Sequence, residues 1–396
     1  MPQRLRIAAP GVKQPRMTDL AALAPTMTQW RRELHRHPEL AFGEHRTAAF
    51  VAERLREFGL APVEGIGGTG VVAVIDSGAP GPSIALRADM DALPMPDEGG
   101  TAYGSTVPGV AHACGHDGHT AALLGVARHL ADNPPPRGRV VLIFQPAEET
   151  GQGARAMIAD GLLERFAFDE VYAFHNMPLL APGQAGVKAG PCLNGYIVWQ
   201  VTVTGVGGHG AAFYKAVDPL QAAARLAVEV GSIVGRYVDP KEAALITACS
   251  LNAGTSHNII PETATLSGTL RGLNPEVIAL LWDRLEAACA GVAAMTGCTV
   301  TPERLAEVPP CVNDPAAADR AALACAAVLG EASVIRDHPP FPFTDDMALL
   351  LQAAPGAYLF LGQDSVMCHN PAYDFDDALL PVAAGVFVEL VGMRLA

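Results

Sequence analysis

The chain has 396 residues, of which 50% are hydrophobic and 17% are charged, and its formal net charge is −14. This charge argues against nucleic acid or an anionic membrane as a partner, because no broad basic face is present. No apolar run approaches the roughly 20 residues of a membrane span. Residues 1–16 lack the apolar core of a secretory signal, so we expect them to be a disordered extension of a cytoplasmic protein.

The length suits two domains of unequal size. A helical pattern runs from Trp30 to Gly59, and its last residues, Phe58-Gly59, suit a helix terminus. Three short strands follow at 70–76, 83–87 and 138–144, with a helix over 118–132 before the last of them. Apolar strands separated by helices predict an α/β fold with a mixed, mostly parallel sheet that helices cover on both faces.

The composition changes after Gly190-Pro191. Strand, helix, strand, strand, helix and strand are then predicted at 196–204, 219–238, 243–252, 263–273, 275–296 and 298–308. This order is the ferredoxin-like α+β pattern, so we expect residues 191–308 to be a domain inserted into one made of 17–190 and 309–396. The chain returns with a helix over 314–330, a strand over 357–361 and a closing helix from Leu379.

The segment from His112 to His119 (HACGHDGH) holds three imidazoles, a thiol and a carboxylate. Cys114 and His116 flank a glycine, so a loop could turn both side chains toward one ion. Thiolate and imidazole suit zinc, manganese, nickel or cobalt better than calcium or magnesium. The other cysteines have no short repeated spacing, and we expect most to be small buried hydrophobes in a reducing compartment.

Further candidates lie just beyond predicted strands, where open α/β sheets place their sites. Asp89 and Asp91 follow one strand, the pair Glu148-Glu149 another and His175 a third, while His369 lies near the C-terminus. One carboxylate of the pair could bind metal while the other holds a water. Each group alone has an ordinary explanation, such as an exposed acidic turn or a satisfied core histidine. Their conjunction predicts a metal centre with a general base.

Eight segments in order carry a resemblance that extends from about Trp30 onward. They are Glu33–Leu40 (ELHRHPEL), Arg87–Pro94 (RADMDALP), His112–His119 (HACGHDGH), Gln145–Glu149 (QPAEE), Gly207–Gly210 (GGHG), Asn258–Pro261 (NIIP), Gly268–Arg271 (GTLR) and Cys368–Pro371 (CHNP). In these segments the chain resembles the bacterial aminoacylase and hippurate-hydrolase family. Those dinuclear metallopeptidases are related to glutamate carboxypeptidase and include the plant auxin-conjugate hydrolases.

The resemblance implies that two divalent ions (zinc, manganese, nickel or cobalt) are held by one set of ligands in a catalytic domain. The implied ligands are Cys114, His116, Glu149, His175 and His369. Glu148 would be the general base that takes a proton from the attacking water and returns it to the leaving amine. Asp89 and Asp91 would orient the ligands without binding metal themselves; the alternative for Asp91 is a turn cap.

The resemblance also implies that residues 191–308 form a lid and dimerisation domain, in a homodimer or a dimer of dimers. His209 would stabilise the tetrahedral oxyanion, in its own or the partner's active site; otherwise it is an exposed turn histidine. Asn258 and Arg271 match positions that hold the substrate α-carboxylate, a group that the fork of arginine suits. The alternative for Arg271 is an ordinary surface salt bridge.

Two departures from the family pattern affect substrate inference. Ala212-Phe213-Tyr214 stands where a Met-Pro-His segment is usual, so a second histidine is absent and Tyr214 could hydrogen-bond instead. Thr344-Asp345-Asp346-Met347 stands where Ser-Glu-Asp-Phe is usual. We expect both segments to line the acyl or side-chain pocket.

The favoured function is metal-dependent hydrolysis of the amide bond of a small N-acyl-L-amino acid to a carboxylate and a free amino acid. A dipeptidase or carboxypeptidase with the same dinuclear centre is the alternative. A non-catalytic metal-binding protein is disfavoured because it would not need Glu148. A cysteine hydrolase is disfavoured because His116 is too close in sequence to Cys114 to act as its base.

Overall fold

The computed structural model describes residues 16–396. The strands are β1 (Val63–Ile66), β2 (Gly70–Asp76), β3 (Ser83–Asp89), β4 (Arg139–Gln145), β5 (Glu170–Met177), β6 (Ala185–Gly186), β7 (Gly190–Leu193), β8 (Gly195–Thr204), β9 (Gly208–His209), β10 (Ala244–Ala253), β11 (Ile259–Ile260), β12 (Thr263–Gly272), β13 (Thr299–Val308), β14 (Cys311–Asn313), β15 (Val334–Ile335) and β16 (Gly356–Gly362). The α-helices are α1 (Arg16–Arg36), α2 (His45–Glu57), α3 (His116–Asp132), α4 (Gly153–Ala159), α5 (Leu162–Arg165), α6 (Pro219–Val230), α7 (Ile233–Tyr237), α8 (Pro275–Thr296), α9 (Pro315–Leu329), α10 (Met347–Ala353) and α11 (Leu379–Leu395). Two 3₁₀ helices cover Gly210–Lys215 and Glu331–Ser333.

The larger sheet has eight strands in the order β1-β2-β4-β3-β5-β16-β6-β15. Its central strands β4, β3, β5 and β16 are parallel, and antiparallel pairs flank them. Alternate strand residues enter two cores: Leu86 and Phe174 pack with α1, α3, α9 and α11, whereas Ala85 and Phe360 pack with α4 and α10. Helices therefore cover both faces, and the predicted α/β class is confirmed.

The second sheet has the order β10-β12-β8-β13, and all its neighbouring pairs are antiparallel. Helices α6 and α8 pack on one face of it, around Trp199, Leu226 and Leu281. This is the predicted ferredoxin-like arrangement. The antiparallel pair β7 and β14 leads into and out of it. The division into domains at 191 and 308 remains a prediction.

Helices α6, α8 and α9 begin with the same local signal, an Asp or Asn followed by proline. The side chains of Asp218, Asn274 and Asp314 accept hydrogen bonds from backbone N–H groups of the first turn. The following proline needs no partner there and has a φ that suits a helix. Their starts are therefore encoded locally in the sequence.

Two helix predictions need correction. The helical pattern from Trp30 to Gly59 is two helices, because Pro38 disfavours helical conformation in the residue before it and α1 ends at Arg36. The helix predicted over 219–238 is also divided, into α6 and α7, at Gly231-Ser232. Of the extension expected over residues 1–16, residues 1–15 lie outside the described part, and Arg16 already begins α1.

All eight cysteines lie in the described part, and none of them forms a disulfide. Six are buried, five of them as expected for small hydrophobes and the sixth, Cys114, as a candidate ligand. Within residues 16–396, no helix combines the length and hydropathy needed to cross a bilayer.

Candidate metal centre

The predicted site residues meet at the carboxyl ends of the central strands. β3 ends at Asp89, and β4 ends three residues before Glu148. His175 lies near the end of β5, and His116 is the first residue of α3. The sheet thus gathers residues that are far apart in the chain, as parallel strands with helical crossovers do.

Gly115 brings Cys114 and His116 to one point. Its φ is +104°, in the left-handed region. A Cβ at this position would lie 2.3 Å from Asn176 Oδ1 and 2.7 Å from the Tyr373 hydroxyl oxygen. Conformation and space both require glycine here. The sharp turn that results lets a loop residue and the first helical residue point into the same site.

The five predicted metal ligands form two groups of three that share Cys114. One group adds His116 and His175, the other adds Glu149 and His369, and candidate ligand atoms within each group lie within 4.8 Å of one another. Cys114 Sγ is 3.3 Å from His175 Nε2, and His369 Nε2 is 3.4 Å from Glu149 Oε2. The structure therefore brings all five predicted ligands together.

Hydrogen bonding of the ligand side chains suits a bound cation. His116 Nδ1 is 2.9 Å from the carbonyl oxygen of Asp91, and His175 Nδ1 is 2.6 Å from that of Asn176. Donation from both Nδ1–H groups directs the Nε2 lone pairs into the site. His116 Nε2 and Glu149 Oε1 are buried, 3.9 Å apart, and have no hydrogen-bond partner within residues 16–396. An imidazole nitrogen and a carboxylate oxygen left free in this way, beside the Cys114 thiol, fit a borderline divalent metal.

The electrostatic environment also favours a cation. Burial raises the pKa of Glu148 well above its usual range, and the charges of Asp345 and Glu149 raise it further. Burial likewise raises the pKa of Glu149 to about 7. Burial opposes protonation of His116, but nearby carboxylates, Asp89 foremost, outweigh it and raise its pKa to about 10. The site thus carries an excess of negative charge that a metal ion would neutralise.

Arg87 is fully buried beneath this site among three carboxylates. Its guanidinium is 2.7 Å from Asp89 Oδ2 and 3.2 Å from oxygens of both Asp345 and Asp346. Gln145 accepts a further hydrogen bond from its Nε at 2.9 Å. Arg87 therefore links Asp89, at the end of β3, to Asp345 and Asp346, which directly precede α10.

Asp89 and Asp91 contact the ligand-bearing segments, as predicted. Asp89 Oδ1 is 2.5 Å from His119 Nδ1, and His119 Nε2 is 2.6 Å from Asn176 Oδ1. The carboxylate of Asp91 accepts the backbone N–H groups of Glu148 and Glu149, each at 3.0 Å. Their functional roles as orienting residues remain predictions.

A cavity of about 560 Å³ opens over the ligands. Arg271 reaches it from β12, and its guanidinium lies 5.5 Å from the ring centre of Tyr196 on the neighbouring strand. Apolar side chains line much of the remaining wall, namely Met177, Leu193, Phe343, Phe360 and Met367. The cavity therefore combines a cationic group, a metal-type cluster and an apolar wall.

The segment 344–347 only partly follows its prediction. Thr344, Asp345 and Asp346 line the cavity, as expected. Met347 does not, because it begins α10 and is fully buried with Ala348 in the core beneath the sheet. The thioether therefore takes no part in the cavity wall.

His209 and Asn258 lie together but outside this cavity. His209 is the last residue of β9 and Asn258 directly precedes β11, and the N–H of Gly210 donates to the Asn258 carbonyl oxygen at 2.9 Å. Both side chains are exposed, and His209 Nδ1 accepts the N–H of Ala211 at 3.1 Å. Phe213, in the 3₁₀ helix that follows His209, is 68% exposed. Within one chain, Arg271 thus lines the same cavity as the metal-type cluster, whereas His209 and Asn258 do not.

Sequence reasoning missed several residues that shape the site. Asn176 donates to the carbonyl oxygen of Cys114 at 3.1 Å and to the Tyr373 hydroxyl at 2.6 Å. Its position directly after His175 was the available signal. Glu44, in a helical pattern far upstream, accepts the backbone N–H of Ala147 at 2.8 Å and gave no comparable signal.

Comparison with known proteins agrees with this geometry. Residues 85–392 match Peptidase family M20/M25/M40. The chain belongs to this family.

It is 39% identical over 361 residues to the hippurate hydrolase of Campylobacter jejuni, covering 91% of this chain and 94% of that one. The N-acetyl-L-cysteine deacetylase of Bacillus subtilis is 36% identical, with 95% and 90% covered. The solved structure of a dinuclear metal-binding peptidase of the M20 family from Bacillus subtilis superposes with a TM-score of 0.81 at 31% identity, covering 95% of this chain and 99% of that one. These matches confirm the resemblance and the prediction of a hydrolytic enzyme.

Proposed function

We propose that this M20 family member hydrolyses N-acyl-amino acids to a carboxylate and a free amino acid with the help of two divalent metal ions. The observation that carries the proposal is the position of Glu148, a buried carboxylate beside a metal-type ligand set. Relatives named as a hippurate hydrolase and an N-acetyl-L-cysteine deacetylase support amide substrates of this kind.

The two groups that share Cys114 would hold the two ions, with His116, His175, Glu149 and His369 as the other ligands. The similar peptidase of known structure is described as dinuclear. Zinc, manganese, nickel and cobalt all suit a thiolate, imidazole and carboxylate set. Bound there, such ions lower the pKa of a nearby water and polarise the carbonyl of an amide.

Glu148 supplies the proton transfers. Its carboxylate lies 3.8 Å from His116 Nε2, so it faces the same space as the ligands. It is buried and is not one of the five proposed ligands, so its carboxylate can take a proton from water and give it to the leaving nitrogen.

Arg271 binds the α-carboxylate of the substrate across the cavity. Its planar fork suits a carboxylate, and it faces the ligand cluster from the second sheet. The apolar wall of Leu193, Phe343 and Phe360 then accommodates hydrophobic parts of the substrate. An amide between these two anchors places its carbonyl at the ligands.

The exposed segment with His209 and Asn258 contributes to the active site of a second copy of the chain in a homodimer. Phe213, Tyr214 and Ile259 on the same surface are 68%, 73% and 59% exposed. Contiguous exposed apolar side chains of this kind mark an interaction surface. Residues 191–308 would thus serve as lid and dimerisation domain, with His209 as the oxyanion donor. The unpaired cysteines fit a reducing, cytoplasmic location.

The test is hydrolysis of N-benzoyl-, N-acetyl- and other N-acyl-amino acids after chelation and after reloading with each metal. Glu148→Gln should lower kcat by about 10²–10⁴-fold while two ions per chain remain bound, since the base is lost and the ligands are kept. Glu149→Gln is the matched control and should lose metal as well. Activity that survives chelation, or near-normal turnover in Glu148→Gln, would overturn the proposal. Uncapped dipeptides form a further arm, and faster cleavage of these would favour the dipeptidase alternative.

A further inference from the structure

The residue before the proposed base has an unusual backbone conformation. Ala147 has φ +53°, a left-handed value that residues with a Cβ rarely adopt. It lies between Pro146 and Glu148, so its conformation sets the direction of the Glu148 side chain. Strain of this kind persists only where surrounding contacts hold it, and it clusters at functional sites.

Three successive backbone N–H groups of this turn are held by two buried carboxylates. The N–H of Ala147 donates to Glu44 Oε1 at 2.8 Å. Those of Glu148 and Glu149 donate to Asp91 Oδ1 and Oδ2 at 3.0 Å each. The turn is thus a small anion-binding concavity whose anions are the protein's own side chains.

Glu44 reaches the turn from the residue before α2 and is fully buried. Its second oxygen accepts the hydroxyl of Thr69 at 2.5 Å. It does not line the cavity, so it has no direct route to the substrate. Its hydrogen bonds fix the carboxylate in place against Ala147.

The other side of the turn is held by backbone contacts. The carbonyl oxygen of Ala147 accepts the N–H of Gly153 at 3.1 Å and that of Gln152 at 3.3 Å. A Cβ on Gly153 would lie 1.6 Å from the carbonyl oxygen of Pro146. The carbonyl side therefore cannot rotate freely. The N–H of Ala147 depends on Glu44 alone among the side chains in the described part.

We propose that Glu44 is a positioning residue for the hydrolysis, which holds Ala147 left-handed and thereby aims Glu148 at the substrate carbonyl. This inference rests on the proposed function, since it assigns Glu148 the role of base. Displacing a catalytic group by about 1 Å can cost on the order of 10²-fold in rate. Loss of the anchor should therefore act on kcat, because Arg271 and the cavity wall are left intact.

The experiment compares Glu44→Ala, Glu44→Gln, Ala147→Gly and the double variant Glu44→Ala/Ala147→Gly. Glutamine keeps an oxygen that can accept the Ala147 N–H, whereas alanine keeps none. Glycine adopts positive φ without the Cβ penalty, so Ala147→Gly reduces the need for an anchor. Glu170→Gln is the control, because Glu170 is also buried but binds Arg320 and Arg394 away from the site.

At saturating metal, Glu44→Ala should lower kcat by roughly 10–100-fold with KM within about twofold. Glu44→Gln should stay within about threefold of wild type, and Ala147→Gly should restore most of the kcat lost in Glu44→Ala. Amide hydrogen exchange of residues 147–149 in metal-free protein should accelerate in Glu44→Ala and not in Glu170→Gln. If Glu44 had a merely structural role, Glu44→Ala and Glu170→Gln would both lower stability, and Ala147→Gly would not restore the kcat of Glu44→Ala.

Unchanged kcat in Glu44→Ala, or a loss that Ala147→Gly does not restore, would overturn the inference. If Glu44→Ala does not fold, Thr69→Val removes the second anchor of the carboxylate and should show a smaller loss with the same rescue. Absence of any N-acyl hydrolysis by the wild-type enzyme would overturn the proposed function instead. The hydrogen-exchange comparison would still report in that case whether Glu44 holds the turn.

Discussion

The Arg31→Met variant tests how the start of α3 is held. Arg31 is fully buried, and its Nε lies 2.8 Å from Asp117 Oδ2. Asp117 directly follows His116 in α3. It also contacts Asp374 and lies 3.5 Å from Asp377 Oδ1. Methionine has a similar length but no charge, so the variant leaves the buried Asp117 carboxylate with His35 but without its guanidinium.

The expected loss follows from the burial of the pair. Both side chains are fully excluded from solvent, and removing one partner of such a pair costs about 3–5 kcal/mol. Burial alone would raise the pKa of Asp117, but Arg31 and His35 outweigh it and hold that pKa below its usual range. This depressed pKa contributes stability above the ordinary aspartate pKa, and the contribution is lost as the pH falls below it.

Urea unfolding at pH 7 in the presence of a chelator measures this loss without the stabilisation that bound metal adds. Arg32→Met is the matched control. The Arg32 side chain is 44% exposed and pairs with Asp377, so its removal should cost no more than about 1 kcal/mol. Adding Asp117→Asn to Arg31→Met should recover part of the loss, because the unpaired charge is removed. A free energy of unfolding for Arg31→Met within 1 kcal/mol of that for Arg32→Met would refute the reasoning.

Three further predictions follow from the site and the core. Arg271→Ala should raise KM at least about tenfold for substrates with a free α-carboxylate and leave carboxylate-blocked amides unaffected. Arg304→Ala, on β13 of the same sheet, is the control in steady-state kinetics. Mixing inactive His209→Ala and Glu148→Gln dimers should restore about one quarter of wild-type activity, since half the dimers are mixed and each holds one intact site; no recovery would mean that His209 acts within its own chain. Burial lowers the pKa of the stacked His338 ring, so its contribution to stability is lost as the pH falls below its ordinary value. The free energy of unfolding of His338→Phe, measured in urea, should therefore rise relative to that of wild type between pH 7 and pH 5. The same difference between the two proteins at both pH values would contradict this.

Several candidate site residues could be predicted because they follow a readable local signal, whereas the full ligand set came from the family resemblance. Glu148 and His175 end apolar strand runs, and parallel strands bring such ends to one edge of the sheet. Cys114 and His116 are close in sequence, so only a turn at Gly115 was needed to bring them together. These relations depend on periodicity and short range, which a single sequence contains.

The remaining features depend on packing between distant segments. Glu44 reads as an ordinary helix glutamate, and only the folded chain brings it to Ala147. His209 matches a family motif, but the fold of one chain leaves it outside the cavity. Met347 seemed to belong to the cavity wall, but the start of α10 turns it into the core. Such outcomes are decided by tertiary contacts that local propensity does not describe.

The cavity is bounded by two separately packed parts of the molecule, with Arg271 on the second sheet and the metal ligands on the large one. In the proposed function, the separation of Arg271 from the ligands therefore sets how many bonds can lie between a substrate's carboxylate and the amide that is cut. An acylated β-amino acid has one more carbon between these groups, so a fixed separation of Arg271 and the ligands would serve the two linkages differently. Selectivity for the α-linkage would then be a property of how the two sheets meet, and the cavity wall would be free to vary in the acyl group that it accepts.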